Sequence, residues 1–297
     1  MRGLLIIAAS VFGIAATAAA QRPVKVFISV DMEGITGVVT GEQLSPAGFE
    51  YARFREFMTA DALAAIQGAK EAGATQFVVA DSHGNMQNLL IDRFSPEVSI
   101  VRGSPRPLVM MEGIDSSFSA VFFIGYHSAT TNPAGVRAHT MSSATFSSVE
   151  LNGRPIAESG LNAALAGVFG VPVALVSGDD AAVAEVRQML GDVEGAVVKR
   201  ALGFHSAVTL TPEAGQALIR AKAKAAIARL GDFKPYRIAT PVTVDLTYKS
   251  YTPAEAMALL PEVERRTAHG IRYRARTVLD AARFLEFTTT YRSDLTP

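Results

Sequence analysis

Six side chains in this sequence are of the kinds that hold metal ions and move protons: Asp31, Glu33, His83, His127, His139 and Glu158. Asp31 and Glu33 stand two residues apart in VKVFISVDMEGITG, directly after the run Val26–Val30. Carboxylates at i and i+2 off a strand end point the same way while strand geometry lasts. Two anions so placed repel unless something positive lies between them. A divalent cation is the simplest such partner, because hard oxygen ligands suit it. A helix N-terminus with an acidic first turn would use the same two residue types. His83 and His127 each follow an apolar run, and His139 follows a Pro/Gly loop. Singly, a loop histidine reads as a surface or packing residue, and a glutamate opening a helix complements its dipole. Jointly, three imidazoles and three carboxylates suit zinc or a similar transition metal. An aspartate shared by two ions would suit two-metal hydrolysis.

These residues must be positioned by a sheet. Val26–Val30 reads as a buried strand, Phe49–Ala72 as an amphipathic helix ended by Gly73, and Gln76–Ala80 as a second buried strand. That is a βαβ unit, so the sheet is mostly parallel and its site lies at the carboxyl ends of the strands. Ala120–Ile124 and Pro172–Ser177 read as further strands, and Asn152-Gly153 as a type I′ hairpin turn. From about Glu194 strands and helices alternate without acidic or histidine residues at the strand ends. Thr211-Pro212 opens a helix there as cap and first-turn residue. The fold class expected is α/β: a three-layer sandwich with a mostly parallel central sheet, plus a smaller C-terminal α+β domain. The expected domains are a signal peptide over 1–20, an α/β metal-binding catalytic domain over 21–193, and the α+β domain over 194–297.

The 297 residues carry 28 basic and 28 acidic side chains, which gives no reason to expect nucleic acid or an anionic membrane as partner. Hydrophobic residues make up 49% of the chain, enough for a large core. Cysteine is absent, which excludes a disulfide framework, Cys-ligated zinc and a thiol nucleophile. Met1-Arg2, the apolar run Leu4–Ala20 and the small residues Ala18-Ala19-Ala20 before Gln21 read as a secretory signal peptide cleaved after Ala20. The mature chain would be exported, to the periplasm in a Gram-negative cell, with no membrane attachment once the signal is removed. A retained anchor helix is the alternative reading of the same run.

Five segments in order, SVDMEGITG, VVADSHGNMQNLL, FFIGYHSA, GVRAHTM and AESGLNAALAG, resemble the D-aminopeptidases of the dipeptide-transport-associated type, metallopeptidase family M55. The resemblance runs from about Lys25 to Asp180 and continues more loosely beyond. It implies a di-zinc aminopeptidase that removes N-terminal D-residues, typically D-alanine, from short peptides. It also implies a homo-oligomer, a decameric ring around a chamber in the founding member. On the matching motifs it implies Asp31, Glu33, His83, His127 and Glu158 as ligands of two zinc ions and His139 as the catalytic histidine. Asp31, first of the strand-end pair, is the expected bridge. The founding type is cytoplasmic, so an export signal departs from it and would bring the enzyme to D-alanine peptides of the cell wall.

Other candidates are weaker. Asp81 and Asp179-Asp180 follow strands and could orient ligand histidines, although turn capping is preferred. Asn162 could position substrate or simply pack. His205 and His269 fall outside the motifs and read as structural or surface residues. Rival functions are an aminopeptidase preferring L-residues, a metallophosphatase or amidase with the same ligand types, and a periplasmic peptide-binding protein without turnover. No phosphate-cradling Gly-rich loop supports the phosphatase, and a binding protein has no need of the His and carboxylate set.

Overall fold

The computed structural model describes residues 23–291, so the segment read as a signal peptide lies outside it. In chain order the elements are β1 Val24–Val30, α1 Tyr51–Glu71, β2 Ala74–Asp81, β3 Val98–Val101, β4 Ala120–Tyr126, β5 Phe146–Leu151, β6 Arg154–Pro155, α2 Glu158–Val168, β7 Val173–Asp179 and α3 Asp180–Leu190. There follow β8 Glu194–Gly203, β9 Ser206–Thr209, α4 Pro212–Ala228, β10 Val242–Tyr248, α5 Tyr251–Met257, β11 Val263–Arg265, β12 Gly270–Ala275 and α6 Val278–Thr290.

The large sheet has the order β3-β2-β1-β4-β7-β8-β9, parallel except for β9, which turns back antiparallel on β8. Its central strands β1, β4 and β7 are apolar and almost wholly buried, as a sheet covered on both faces requires. Helices α1 and α4 pack together on one face, and α2 and α3 lie on the other. Phe54, Met58, Ala62, Ala65, Ile66 and Ala69 of α1, spaced at helical intervals, are all buried. A methyl at Gly68 would sit 2.0 Å from Arg220 O, so the bare glycine lets α1 and α4 approach.

The second sheet, β11-β12-β10-β5-β6, is antiparallel throughout. It has one covered face. Val242, Val244, Leu246 and Tyr248 of β10 are buried under α5 and α6, while Asp245 on the other face pairs with Arg272 directly across the ladder at 2.7 Å. The β5–β6 hairpin turns on Asn152 and Gly153, both at positive φ (52° and 75°), as the type I′ reading expects. Thr211 caps α4 with Pro212 at its first position.

The boundary expected at 193/194 does not divide the molecule. Strand β8 pairs parallel with β7, and α4 packs on α1, so residues 194–228 belong to the large sandwich. Conversely β5 and β6, expected in the first domain, build the second sheet with β10. Sheet membership is set by long-range pairing, and neither exchange leaves a mark in local periodicity. Strand β11, only three residues long, was not expected at all.

Candidate metal centre

Three adjacent parallel strands set the floor of the site. Val30 of β1 is in register with Asp81 of β2 and Ile124 of β4, so residues 31, 82–83 and 125–127 emerge at one level. Asp31 extends the ladder one step further, donating its N–H to Ile124 O at 2.8 Å, and Gly34 N–H donates to Gly125 O at 2.7 Å. The chains touch so closely that a methyl at Gly34 would lie 1.9 Å from Tyr126 O. Gly125, at φ +74°, takes a left-handed conformation that few other residues adopt. His139 comes from the long loop after β4. Its N–H donates to Ser128 O at 3.0 Å, and its ring stacks on that of His127 with centroids 4.0 Å apart. Glu158 is the first residue of α2, and one of its oxygens accepts from Met141 N–H at 2.7 Å.

All six expected residues converge. They form two groups, Asp31–Glu33–His83 and His127–His139–Glu158, each with ligand atoms close enough to share one ion. Asp31 lies between the groups. Its Oδ1 is 3.4 Å from His83 Nδ1 and its Oδ2 is 3.2 Å from His127 Nε2. Glu33 Oε2 is 2.8 Å from His83 Nδ1, and Glu158 Oε2 is 3.3 Å from His127 Nε2. His139 stands further back, its Nε2 3.7 Å from Glu158 Oε1 and 4.0 Å from Glu33 Oε1.

Each histidine has one ring nitrogen tied away from the site. His83 Nε2–H donates to Leu44 O at 2.9 Å, His127 Nδ1–H to Ser128 O at 3.1 Å, and His139 Nδ1–H to Arg137 O at 2.8 Å. A carbonyl only accepts, so these nitrogens must carry hydrogen, and the opposite nitrogens face the site. Arg137, at φ +54°, in turn donates its N–H to Phe204 O in the β8–β9 turn at 3.0 Å.

The electrostatics are those of crowded ligands. Burial and the Glu33 charge push the Asp31 carboxyl up. Burial also raises Glu33, but the His83 imidazolium beside it outweighs this and holds it well below the usual carboxylate range. Glu158 is held down in the same way by His127. Burial lowers His83 and His127, yet the carboxylates of Glu33 and Asp31, and of Glu158 and Asp31, raise both well above the ordinary imidazole value. The opposed shifts of carboxylates and imidazoles record how closely the two kinds of group are packed in this buried site. Asp31 Oδ2 and His127 Nε2 are fully buried yet lack hydrogen-bond partners. Buried polar atoms are seldom left so. A donor set of imidazole nitrogen and carboxylate oxygen facing inward fits divalent metal in both groups.

The remaining expectations separate cleanly. Asp81 accepts from Asn88 and Leu89 and shapes the loop that carries His83; Asp179 caps α3 and accepts from Val136; Asp180 accepts from Ala201. None hydrogen-bonds a histidine ring of the site: Asp81 and Asp179 serve as loop and helix caps, and Asp180 ties α3 to β8. Asn162 donates to Tyr126 OH at 2.8 Å within a buried network. His205 is exposed and His269 half-buried, both away from the site.

Two features escaped sequence reasoning. Lys199, in the middle of β8, is buried behind the Asp31–Glu33 loop, with its pKa brought down to about 8 by burial despite Asp179, Glu33, Asp61 and Asp31 nearby. And α6 supplies Glu286, Thr289 and Thr290 to the wall of the roughly 290 Å³ cavity over the metal groups. A lysine in a strand and a threonine pair late in a helix carry no local signal for either place.

Comparison with known proteins agrees with this geometry. The profile of the D-aminopeptidase family, Peptidase M55, matches residues 24–287. D-aminopeptidase of Bacillus subtilis (strain 168) is 33% identical over 258 residues, covering 86% of this chain and 93% of that protein. The solved structure of the Zn-dependent D-aminopeptidase DppA from Bacillus subtilis, a self-compartmentalizing protease, superposes with a TM-score of 0.85 at 31% identity, covering 91% of this chain and all of that one. With a family profile spanning nearly the whole described fold and a metal-ligand set at its strand ends, the chain belongs to the D-aminopeptidase family, Peptidase M55.

Proposed function

We propose that this chain is a di-zinc aminopeptidase that removes an N-terminal D-residue, D-alanine foremost, from short peptides. The observation that carries the reading is Asp31, standing between two ligand groups with a buried, unpartnered oxygen. Asp31, Glu33 and His83 would hold one ion, and Asp31, His127 and Glu158 the other. Bound zinc supplies an acidic water and a Lewis acid for the scissile carbonyl. His139 is the proton-handling group. Its Nδ1–H is fixed on Arg137 O, so its Nε2 is free to take and return a proton at the cavity wall. It stands farther from the carboxylates than the other two histidines do, which favours this role over ligation. The small cavity, lined by Met86, Met110 and Met141 beside Ser142 and Thr289, suits a short peptide with small side chains.

Zinc counting and peptide turnover on protein beginning at Gln21 test the reading. Two zinc ions per chain with chelator-sensitive cleavage of D-Ala-D-Ala are expected. Cleavage of L-Ala-L-Ala alone would keep the site and discard the stereochemistry, and no zinc with no turnover would overturn the assignment. In His139→Ala, two ions with turnover reduced at least a hundredfold are expected; one ion per chain would make His139 a ligand.

Two further parts of the reading rest on other grounds. The run Leu4–Ala20 supports export, and mature protein found in spheroplast cytosol would sink it. Self-assembly is supported by the self-compartmentalizing relative and by the exposed Leu202 and Val208 of the β8–β9 hairpin. A monomer by light scattering at micromolar concentration would refute it.

A further inference from the structure

Among the described residues, Lys199 is the one side chain from the far half of the chain that hydrogen-bonds the loop after β1. It is buried to 2% exposure. Its ammonium donates to three main-chain carbonyls: Glu33 O at 2.5 Å, Val38 O at 2.7 Å and Ile35 O at 3.1 Å. An ammonium has three hydrogens, so all its donors are spent on this loop. Among the described residues no carboxylate lies within ion-pair distance of it. A buried cation without a paired anion is costly and persists only where its hydrogen bonds are needed.

Met32, Ile35, Thr36 and Val38 of the loop are fully buried, but its other hydrogen bonds to the rest of the fold are few. Gly34 N–H reaches Gly125 O, and Thr36 donates its N–H and hydroxyl to Asp61 of α1 at 3.3 and 3.4 Å, both long. Residues 34–38 form no helix or strand. The carbonyl of Glu33 itself is in the grip of Lys199, so the direction of the Glu33 side chain depends on it. That direction matters, because Glu33 Oε2 faces His83 Nδ1 while Oε1 faces His139.

Taking the two-metal reading as its basis, we propose that Lys199 is a positioning residue for Glu33, and through it for the ion that Glu33 and His83 would hold, whereas Asp31 is held by its own bond to Ile124 O. Lys199 fixes the loop through three carbonyls and so sets the affinity for that ion, leaving His127 and Glu158 untouched. The asymmetry follows from the hydrogen bonds: among the described residues the Lys199 ammonium donates only to carbonyls of the loop after β1, and to nothing on the loop of His127 or on α2.

The test is stepwise zinc binding by metal-free protein, measured in competition with a chromophoric chelator, for wild type and Lys199→Met. Methionine keeps most of the unbranched apolar stem and removes all three donors. One of the two binding constants is expected to fall by about tenfold to a hundredfold, as for lost outer partners of metal ligands, with the other within about threefold. Amide exchange over residues 33–38 should quicken in the metal-free variant. Lys199→Gln, which reaches about as far as Met but is still a donor, is expected to fall between wild type and Met. Two unchanged constants would overturn the proposal, and so would an equal fall in both, since that marks general destabilisation. If neither variant folds, Lys199 is a folding residue and the proposal is also overturned. Wild-type protein that binds no zinc would instead sink the functional reading itself, a result distinct from wild-type binding with unchanged variants.

Discussion

Replacing Gly34 by alanine should disarm the site while leaving every ligand in place. The added methyl would lie 1.9 Å from Tyr126 O, 2.4 Å from Gly125 C and 2.6 Å from Gly125 O. All three are backbone atoms of β4, so no side chain can swing aside. Reaching even a tight contact requires the two chains to part by roughly 1 Å, well beyond the ~0.2 Å to which metal–ligand distances hold. The movement separates Asp31 and Glu33 on one side from His127 on the other, across the Asp31 Oδ2 to His127 Nε2 gap of 3.2 Å. It also strains the Gly34 N–H to Gly125 O bond of 2.7 Å. Overpacking of this kind costs about 1–3 kcal/mol, a Tm fall of roughly 2–5 °C for a chain of this size. A misplacement of about 1 Å at reacting groups costs on the order of a hundredfold in rate. The assay is zinc per chain together with kcat/KM on D-Ala-D-Ala. Gly34→Ala should show fewer than two ions and a kcat/KM down a hundredfold or more. Gly41→Ala is the control, because a methyl there meets nothing within 4 Å. Wild-type zinc content and turnover in Gly34→Ala would refute the claim that the approach of these two loops builds the site.

Asp61 should make the metal-free protein less stable as pH rises. Burial, only partly offset by Thr36 and Lys199, raises its pKa from 3.8 to about 7. A carboxyl raised on folding contributes stability that is full below pH 3.8 and lost as pH climbs through about 7. The loss is of the order of 4 kcal/mol by pH 8. Asp61→Asn removes that slope, so its Tm relative to wild type should rise by several degrees between pH 5 and pH 8 in chelator; a pH-independent difference would contradict the account. Chelation of wild-type protein should lower Tm by roughly ten degrees, since ions at a thousandfold excess over Kd add about 4 kcal/mol each, and zinc should restore it. Asp31→Asn, which weakens both ligand groups at once, should cost both ions, and loss of only one in metal counting would place Asp31 in a single group.

Much of the site could be read from local sequence. Strand β1 running into Asp31-Met32-Glu33, β2 into Ser82-His83 and β4 into His127 are short-range patterns. In a parallel sheet, strand ends on the same edge are brought together by register alone. Glu158 at the first position of α2 is legible in the same way. Buried runs read as strands, helical spacing reads as α1, and Asn152-Gly153 reads as its turn, because each depends on residues a few positions apart.

Only the tertiary structure decided the rest. His139 reaches His127 because its loop folds back to pair with Ser128, a course that no periodicity encodes. Asp31 lies between two ligand groups because the ladder to β4 runs one residue past the strand end. Lys199 and Glu286 come to the site from β8 and α6, more than a hundred residues beyond the ligands of the β1 loop. The two sheets exchange strands across the expected boundary, β5 and β6 one way and β8 and β9 the other. In each case the deciding contact joins residues distant in sequence. The chain alone determines which side chains can bind a metal, whereas burial and long-range pairing determine which of them meet, and what holds them there.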